Sequence, residues 1–159
     1  MSDSQKKQAL ISAMRLLAAS AKSRQTMAEK LEDRGFPPEV VREALDQLEA
    51  QGLLSDKAFG QSLVSRFTHS KPAGKRMIAF ELKRKGIPVK LREELLDNVT
   101  PENELEKARE IASLRWEKFK KLDRNKRKKR LYDFLGRRGF DFDVIRQVME
   151  DLERQSDES

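Results

Sequence analysis

A chain of 159 residues with 37% hydrophobic and 38% charged side chains fits one small domain, or an array of small units sharing a continuous core. It has no cysteine, which excludes disulfides, thiol catalysis and cysteine-held metals, and no stretch approaches the roughly 20 apolar residues of a membrane span. Lys and Arg outnumber Asp and Glu by 34 to 27, and the resulting +7 favours a polyanionic partner, either nucleic acid or an acidic protein surface.

The first residues, Met1 to Lys7, lack the apolar core of a signal peptide, so a cytoplasmic protein is expected. Residues 5–19 then predict a helix with Leu10, Ile11, Met14, Leu17 and Ala18 on one face. A second helix carries Met27 and Leu31 and ends at Arg34-Gly35. A third starts near Pro38 and carries Val40, Val41, Ala44 and Leu45. The pattern begins again at 56–68, with Phe59, Leu63, Val64 and Phe67 apolar and Ser55 or Asp56 as cap. After the breaker Lys71-Pro72-Ala73-Gly74 come a helix with Ile78 and Leu82 ending at Lys85-Gly86, and one from Pro88 with Leu91, Leu95 and Leu96. Asp97 to Pro101 breaks the pattern once more. Residues 102–120 follow with Leu105, Ala108, Ile111, Ala112, Arg115, Trp116 and Phe119, then a helix with Leu131 and Leu135 ending at Arg138-Gly139. Asp141 suits the N-cap of a last helix carrying Val144, Ile145, Val148 and Met149.

One unit is therefore written three times. Gly35, Gly86 and Gly139 are 51 and 53 residues apart, and apolar residues recur at matching distances on both sides of each. A basic residue precedes each glycine, complementing the helix dipole, and an apolar residue follows it, as in a Schellman end. The expected fold is all-α: three tandem three-helix, helix-turn-helix-like repeats in an elongated monomeric array. The units fall at 1–54, 55–100 and 101–153, leaving 154–159 as an acidic, frayed tail.

Chemistry finds few candidates. His69 is the single histidine and reads as a solvated loop residue, while Glu93-Glu94 and Glu102-Asn103-Glu104 read as solvated helix faces. No phosphate-binding glycine loop occurs, and no enzyme, cofactor or metal is expected. Trp116 and Phe119, spaced with Ala112, read as core, so base-specific reading of a single strand is not indicated. The basic runs say more. Segments 71–100 and 115–146 carry +4 and +8, against +1 for 1–70. Lys75, Arg76, Arg84 and Lys85 bracket one glycine-ended helix; Lys126, Arg127, Lys129, Arg130 and Arg137 bracket its counterpart. These nine are the candidate binding residues, suited to a phosphate backbone or an acidic groove. Adjacent helix positions point about 100° apart, so some must be bystanders.

Three stretches carry a family resemblance: Gly52-Leu53-Leu54-Ser55-Asp56-Lys57-Ala58-Phe59, Glu81-Leu82-Lys83-Arg84-Lys85-Gly86-Ile87 and Phe134-Leu135-Gly136-Arg137-Arg138-Gly139-Phe140. With Asp143-Val144-Ile145 and Ser23-Arg24, the chain resembles over nearly its whole length the RecX family, bacterial regulators of the RecA recombinase. Thr26-Met27 stand where the family usually has Glu-Leu, and Met77 where it favours Arg. The resemblance implies a crescent of three units lying in the groove of the RecA filament on DNA. It also implies inhibition of filament growth, ATP hydrolysis, strand exchange and coprotease function. Direct contact with DNA through the basic faces stays open, as do an autonomous helix-turn-helix DNA-binding protein and a helical scaffold for an acidic partner.

Overall fold

The computed structural model describes residues 2–158, with nine α-helices and no strand among them. In chain order they are α1 (Ser2–Ala19), α2 (Arg24–Asp33), α3 (Pro38–Ala50), α4 (Asp56–His69), α5 (Lys75–Arg84), α6 (Val89–Asp97), α7 (Pro101–Lys118), α8 (Arg124–Arg137) and α9 (Phe142–Glu158). The all-α repeat of three-helix groups is what the sequence predicts.

Local chemistry sets the helix ends. Ser23, Ser55, Thr100 and Asp123 each accept a backbone N–H from three residues on, satisfying donors that the first turn leaves open. Gly35, Gly86 and Gly139 all have positive φ, at 94°, 77° and 85°. Each closes a Schellman end. The N–H groups of Gly35, Gly86 and Gly139 donate to Glu32, Lys83 and Gly136, and those of Phe36, Ile87 and Phe140 to Leu31, Leu82 and Leu135. Gly52, which the repeat does not mark, does the same after α3, with φ 73° and the Leu53 N–H on the Leu48 carbonyl.

The chain divides into two compact units, residues 1–62 with 82–92 and residues 63–81 with 93–159. In the first, α1, α2 and α3 bury Ala13, Met27, Leu31, Val41, Leu45 and Leu48, with Leu54 beyond. The buried stripe of α1 runs through Ala9 and Ala13, whereas Ile11 and Met14 of the predicted face are exposed. In the second, α7, α8 and α9 bury Ala108, Ala112, Trp116, Leu131, Leu135, Phe140, Ile145 and Val148. Residues 154–158, expected as a frayed tail, instead continue α9 to Glu158. Trp116 Nε1–H donates to Ser156 Oγ at 3.2 Å, and Arg124 reaches Glu153 at 3.5 Å and Asp157 at 4.0 Å, so the acidic end is held down. Met1 and Ser159, the outer ends of the expected first unit and tail, lie outside the described residues.

Candidate functional site

A joint between helix ends positions the basic residues, and it occurs in each compact unit. In the first, Ser23 at the N-cap of α2 accepts the Thr26 N–H at 3.3 Å and donates its hydroxyl to the Lys85 carbonyl at 2.6 Å, in the turn after α5. In the second, Gly74 at the start of α5 donates its N–H to the Arg138 carbonyl at 2.7 Å, and the Arg76 N–H donates to the Gly139 carbonyl at 3.1 Å, in the turn after α8. The Arg138 guanidinium also donates to the Pro72 carbonyl. Ser23 and Gly74 are 51 residues apart, the spacing of Gly35 and Gly86, so equivalent residues make equivalent joints. Each joint sets the negative end of one helix against the positive end of another.

Glu104 braces the second joint. Its side chain is buried, accepts the Lys75 N–H at 2.9 Å and takes a further backbone hydrogen bond from Asp141, so one carboxylate closes the N-termini of α5 and α9. Burial pushes its carboxyl above the ordinary glutamate range, and the Lys75 N–H opposes that shift. Glu104 is therefore not on the solvated face that the Glu102-Asn103-Glu104 stretch predicts. The spacing of four through Glu104, Ala108, Ala112 and Trp116 puts it on the core stripe of α7.

The nine candidate residues separate into four groups. Lys126, Lys129, Arg130 and Arg137 are exposed on the face of α8 opposite the buried Leu131 and Leu135, with Asp133 among them and paired to Lys129 at 3.0 Å. Arg127 turns inward instead. Its guanidinium lies 3.7 Å from the centre of the Trp116 ring and donates to the Trp116 carbonyl from Nε at 3.0 Å and Nη2 at 2.8 Å. Lys75 and Arg76, distant in sequence from the α8 run, are carried by the joint to the Arg137-Arg138 end of α8, with Arg76 exposed. Arg84 and Lys85 belong to the first compact unit, Arg84 exposed and Lys85 half-buried.

Other basic residues of the third run are engaged by α9. Glu153 pairs with Lys128 at 2.8 Å as well as with Arg124, and its hydrogen bond to Lys128 holds its carboxyl below the ordinary range. Sequence reasoning passed over Tyr132 and Phe142, both large and exposed, which meet edge-to-face at 6.1 Å beside this ion pair. His69 is exposed at the end of α4. Among the described residues no group of His, Asp and Glu side chains is placed to hold a metal, and no helix is long and apolar enough to cross a membrane.

Comparison with known proteins places this geometry. The family model of the first three-helix domain of RecX matches residues 9–48, and that of the third three-helix domain matches residues 102–149. The regulatory protein RecX of Chlorobium limicola is 36% identical over 94% of this chain and 92% of its own length. The chain belongs to the RecX family. The RecX protein of Streptomyces coelicolor is 33% identical over 87% of this chain and 76% of its own. The crystal structure of RecX from Lactobacillus salivarius shares the fold, with a TM-score of 0.84 over 95% of this chain and 98% of that one at 20% identity. Both matched RecX domains contain a half of a joint: Ser23 in the first, Glu104 and Arg138-Gly139 in the third.

Proposed function

We propose that this RecX chain is a negative regulator of a RecA recombinase. It binds the groove of the RecA filament on DNA and restrains filament growth, ATP hydrolysis, strand exchange and coprotease activity. The observation that carries this reading is the outward face of α8, where Lys126, Arg130 and Arg137 point away from the core and the joint adds Arg76 at one end. Lys129 and Lys75 flank these contacts, Arg84 and Lys85 add positive charge within the first compact unit, and Arg127 supports the face from inside by fixing α8 on Trp116. The units 1–54, 55–100 and 101–153 act as successive contact modules, so modest individual contacts gain from effective concentration. The protein binds and obstructs, and no bond is made or broken by its own side chains.

RecA ATPase on single-stranded DNA, titrated with substoichiometric amounts of the protein, tests the reading. Inhibition well below one protein per RecA subunit is the expected result, and unchanged hydrolysis at excess protein would sink it. An autonomous DNA-binding protein would instead bind naked duplex with sequence preference and a steep loss of affinity with salt.

A further inference from the structure

The basic run of α8 has two sides that meet different surroundings. Lys126 and Arg130 stand on the outward stripe, where the nearest carboxylate, Asp133, is held by Lys129 at 3.0 Å. Arg124 and Lys128, each two residues from Lys126, point about 160° away from it around the helix axis, toward α9. There Glu153 takes Lys128 at 2.8 Å and Arg124 at 3.5 Å, and Asp157 lies 4.0 Å from Arg124. The two carboxylates and Arg124 line a pocket of about 240 Å³ together with Trp116 and Arg127.

These ion pairs are not what seats α9. Val148 and Leu152 are buried in the core, and Trp116 Nε1–H donates to Ser156 Oγ. The side chains of Arg124 and Lys128 are 63% and 41% exposed, and pairs so exposed add little to stability. Their effect falls on charge instead. Affinity for a polyanion grows with the number of phosphates that cations neutralise. A cation that faces a carboxylate counts toward that number only by giving up its partner, which then stands beside the phosphate and repels it. Glu153 remains ionised at neutral pH, because its hydrogen bond to Lys128 holds its carboxyl below the ordinary range.

We propose that Glu153 and Asp157 are specificity-determining residues, an intramolecular counter-ion that keeps Arg124 and Lys128 from nucleic-acid phosphates. They confine the positive charge of α8 to its outward stripe and so limit how many phosphates of naked DNA, the competitor of any DNA-bound target, the helix can engage. This role rests on the filament reading above, whereas the withholding of the two cations stands without it. Glu153→Gln/Asp157→Asn removes both charges and keeps side-chain shape. Glu93→Gln/Glu94→Gln makes the same change of charge at exposed positions of α6. Fluorescence anisotropy of labelled single-stranded DNA, naked and as RecA filaments, titrated with each full chain over a range of salt, reads the effect; circular dichroism checks the helices. The α9 variant should bind naked DNA at least about threefold tighter at low salt, with a plot of log affinity against log salt steeper by about 1. The α6 variant should stay near wild type, and filament affinity should rise by a smaller factor. Unchanged naked-DNA affinity in the α9 variant would overturn the proposal, and so would an equal gain in the α6 variant, which would show an effect of net charge alone. An equal gain on the filament would overturn the specificity role. Absence of filament binding by the wild type would overturn the filament reading, and the naked-DNA comparison would still decide whether the two cations are withheld.

Discussion

The N–H of Gly74 donates to the carbonyl of Arg138 at 2.7 Å, so the start of α5 rests on the turn that ends α8 with no side chain between them. A Cβ added at Gly74 would overlap the Gly139 carbonyl, and one added at Gly139 would overlap the backbone nitrogen of Met77. Gly35, with the same turn and a φ of 94°, has open space at its Cβ position. Glycines that look equivalent along the chain therefore carry different loads: conformation alone at Gly35, conformation plus close backbone approach at Gly139.

Gly35→Ala should cost about 1 kcal/mol, the strain of a left-handed backbone. Gly139→Ala should cost more, on the order of 2–4 kcal/mol, because the backbone of Met77 must also move. Urea denaturation of the two variants beside wild type measures both. Equal losses would mean that the joint in the second compact unit yields without cost.

How much of this could be read from the residues depends on whether the cause is local. The three-helix repeat, the Gly ends and the apolar stripes of α3, α8 and α9 follow from spacing within one segment, and all were legible. The joint was not, because the residues that crowd Gly139 belong to a different repeat. Ile11 and Met14 fall off the buried stripe of α1, because the small Ala9 and Ala13, which carry little hydrophobic signal in the sequence, hold it. Glu104 was legible in principle from its spacing of four with Ala108 and Ala112. A carboxylate on a core stripe has a partner to be found, here the backbone of Lys75. For the candidate site, composition located the charge, but it could not separate Arg127, which stacks on Trp116, from Lys126 beside it.

Glu104 yields a prediction in two variants. Glu104→Ala leaves the Lys75 N–H without its acceptor at a helix start, and stability should fall by about 1–3 kcal/mol. Glu104→Gln keeps an acceptor but cannot ionise. Since burial raises the Glu104 pKa in the folded state, its contribution is complete below the ordinary glutamate range and is lost as pH rises through the raised value. Wild type should therefore lose stability relative to Glu104→Gln as pH rises from the ordinary glutamate range through the raised value. A constant difference across that range would show that the carboxyl titrates alike in the folded and unfolded chains.

Arg127 and Arg130 are three residues apart in the same basic run but differ in what they touch. Arg127→Ala removes the stacking on Trp116 and two hydrogen bonds to its carbonyl, which should lower stability by about 1–3 kcal/mol. Arg130→Ala, on the exposed face of α8, should stay within about 0.5 kcal/mol of wild type. Trp116 fluorescence should change with the first variant and not the second, because only Arg127 lies on the ring. Equal thermal shifts for the two would contradict the packing role.

The outward face of α8 makes the last prediction. Reversing Lys126, Arg130 and Arg137 to glutamate changes three exposed side chains opposite the buried Leu131 and Leu135, so helical circular dichroism should persist. Asp133 already occupies this face, which leaves Lys129 as its main cation after reversal. If the proposed filament binding holds, attraction to a DNA-bound filament should turn to repulsion, and the concentration needed to inhibit RecA ATPase should rise on the order of tenfold. Screening weakens the wild-type attraction as well, so the gap between the two proteins should narrow as salt is raised. The same reversal at Arg124 and Lys128, which α9 holds through Glu153, should act on stability instead of inhibition. If the outward-face variant inhibits at wild-type concentrations, this face is solvated in the complex, and the contact falls to Arg76, Arg84 and the uncharged surface.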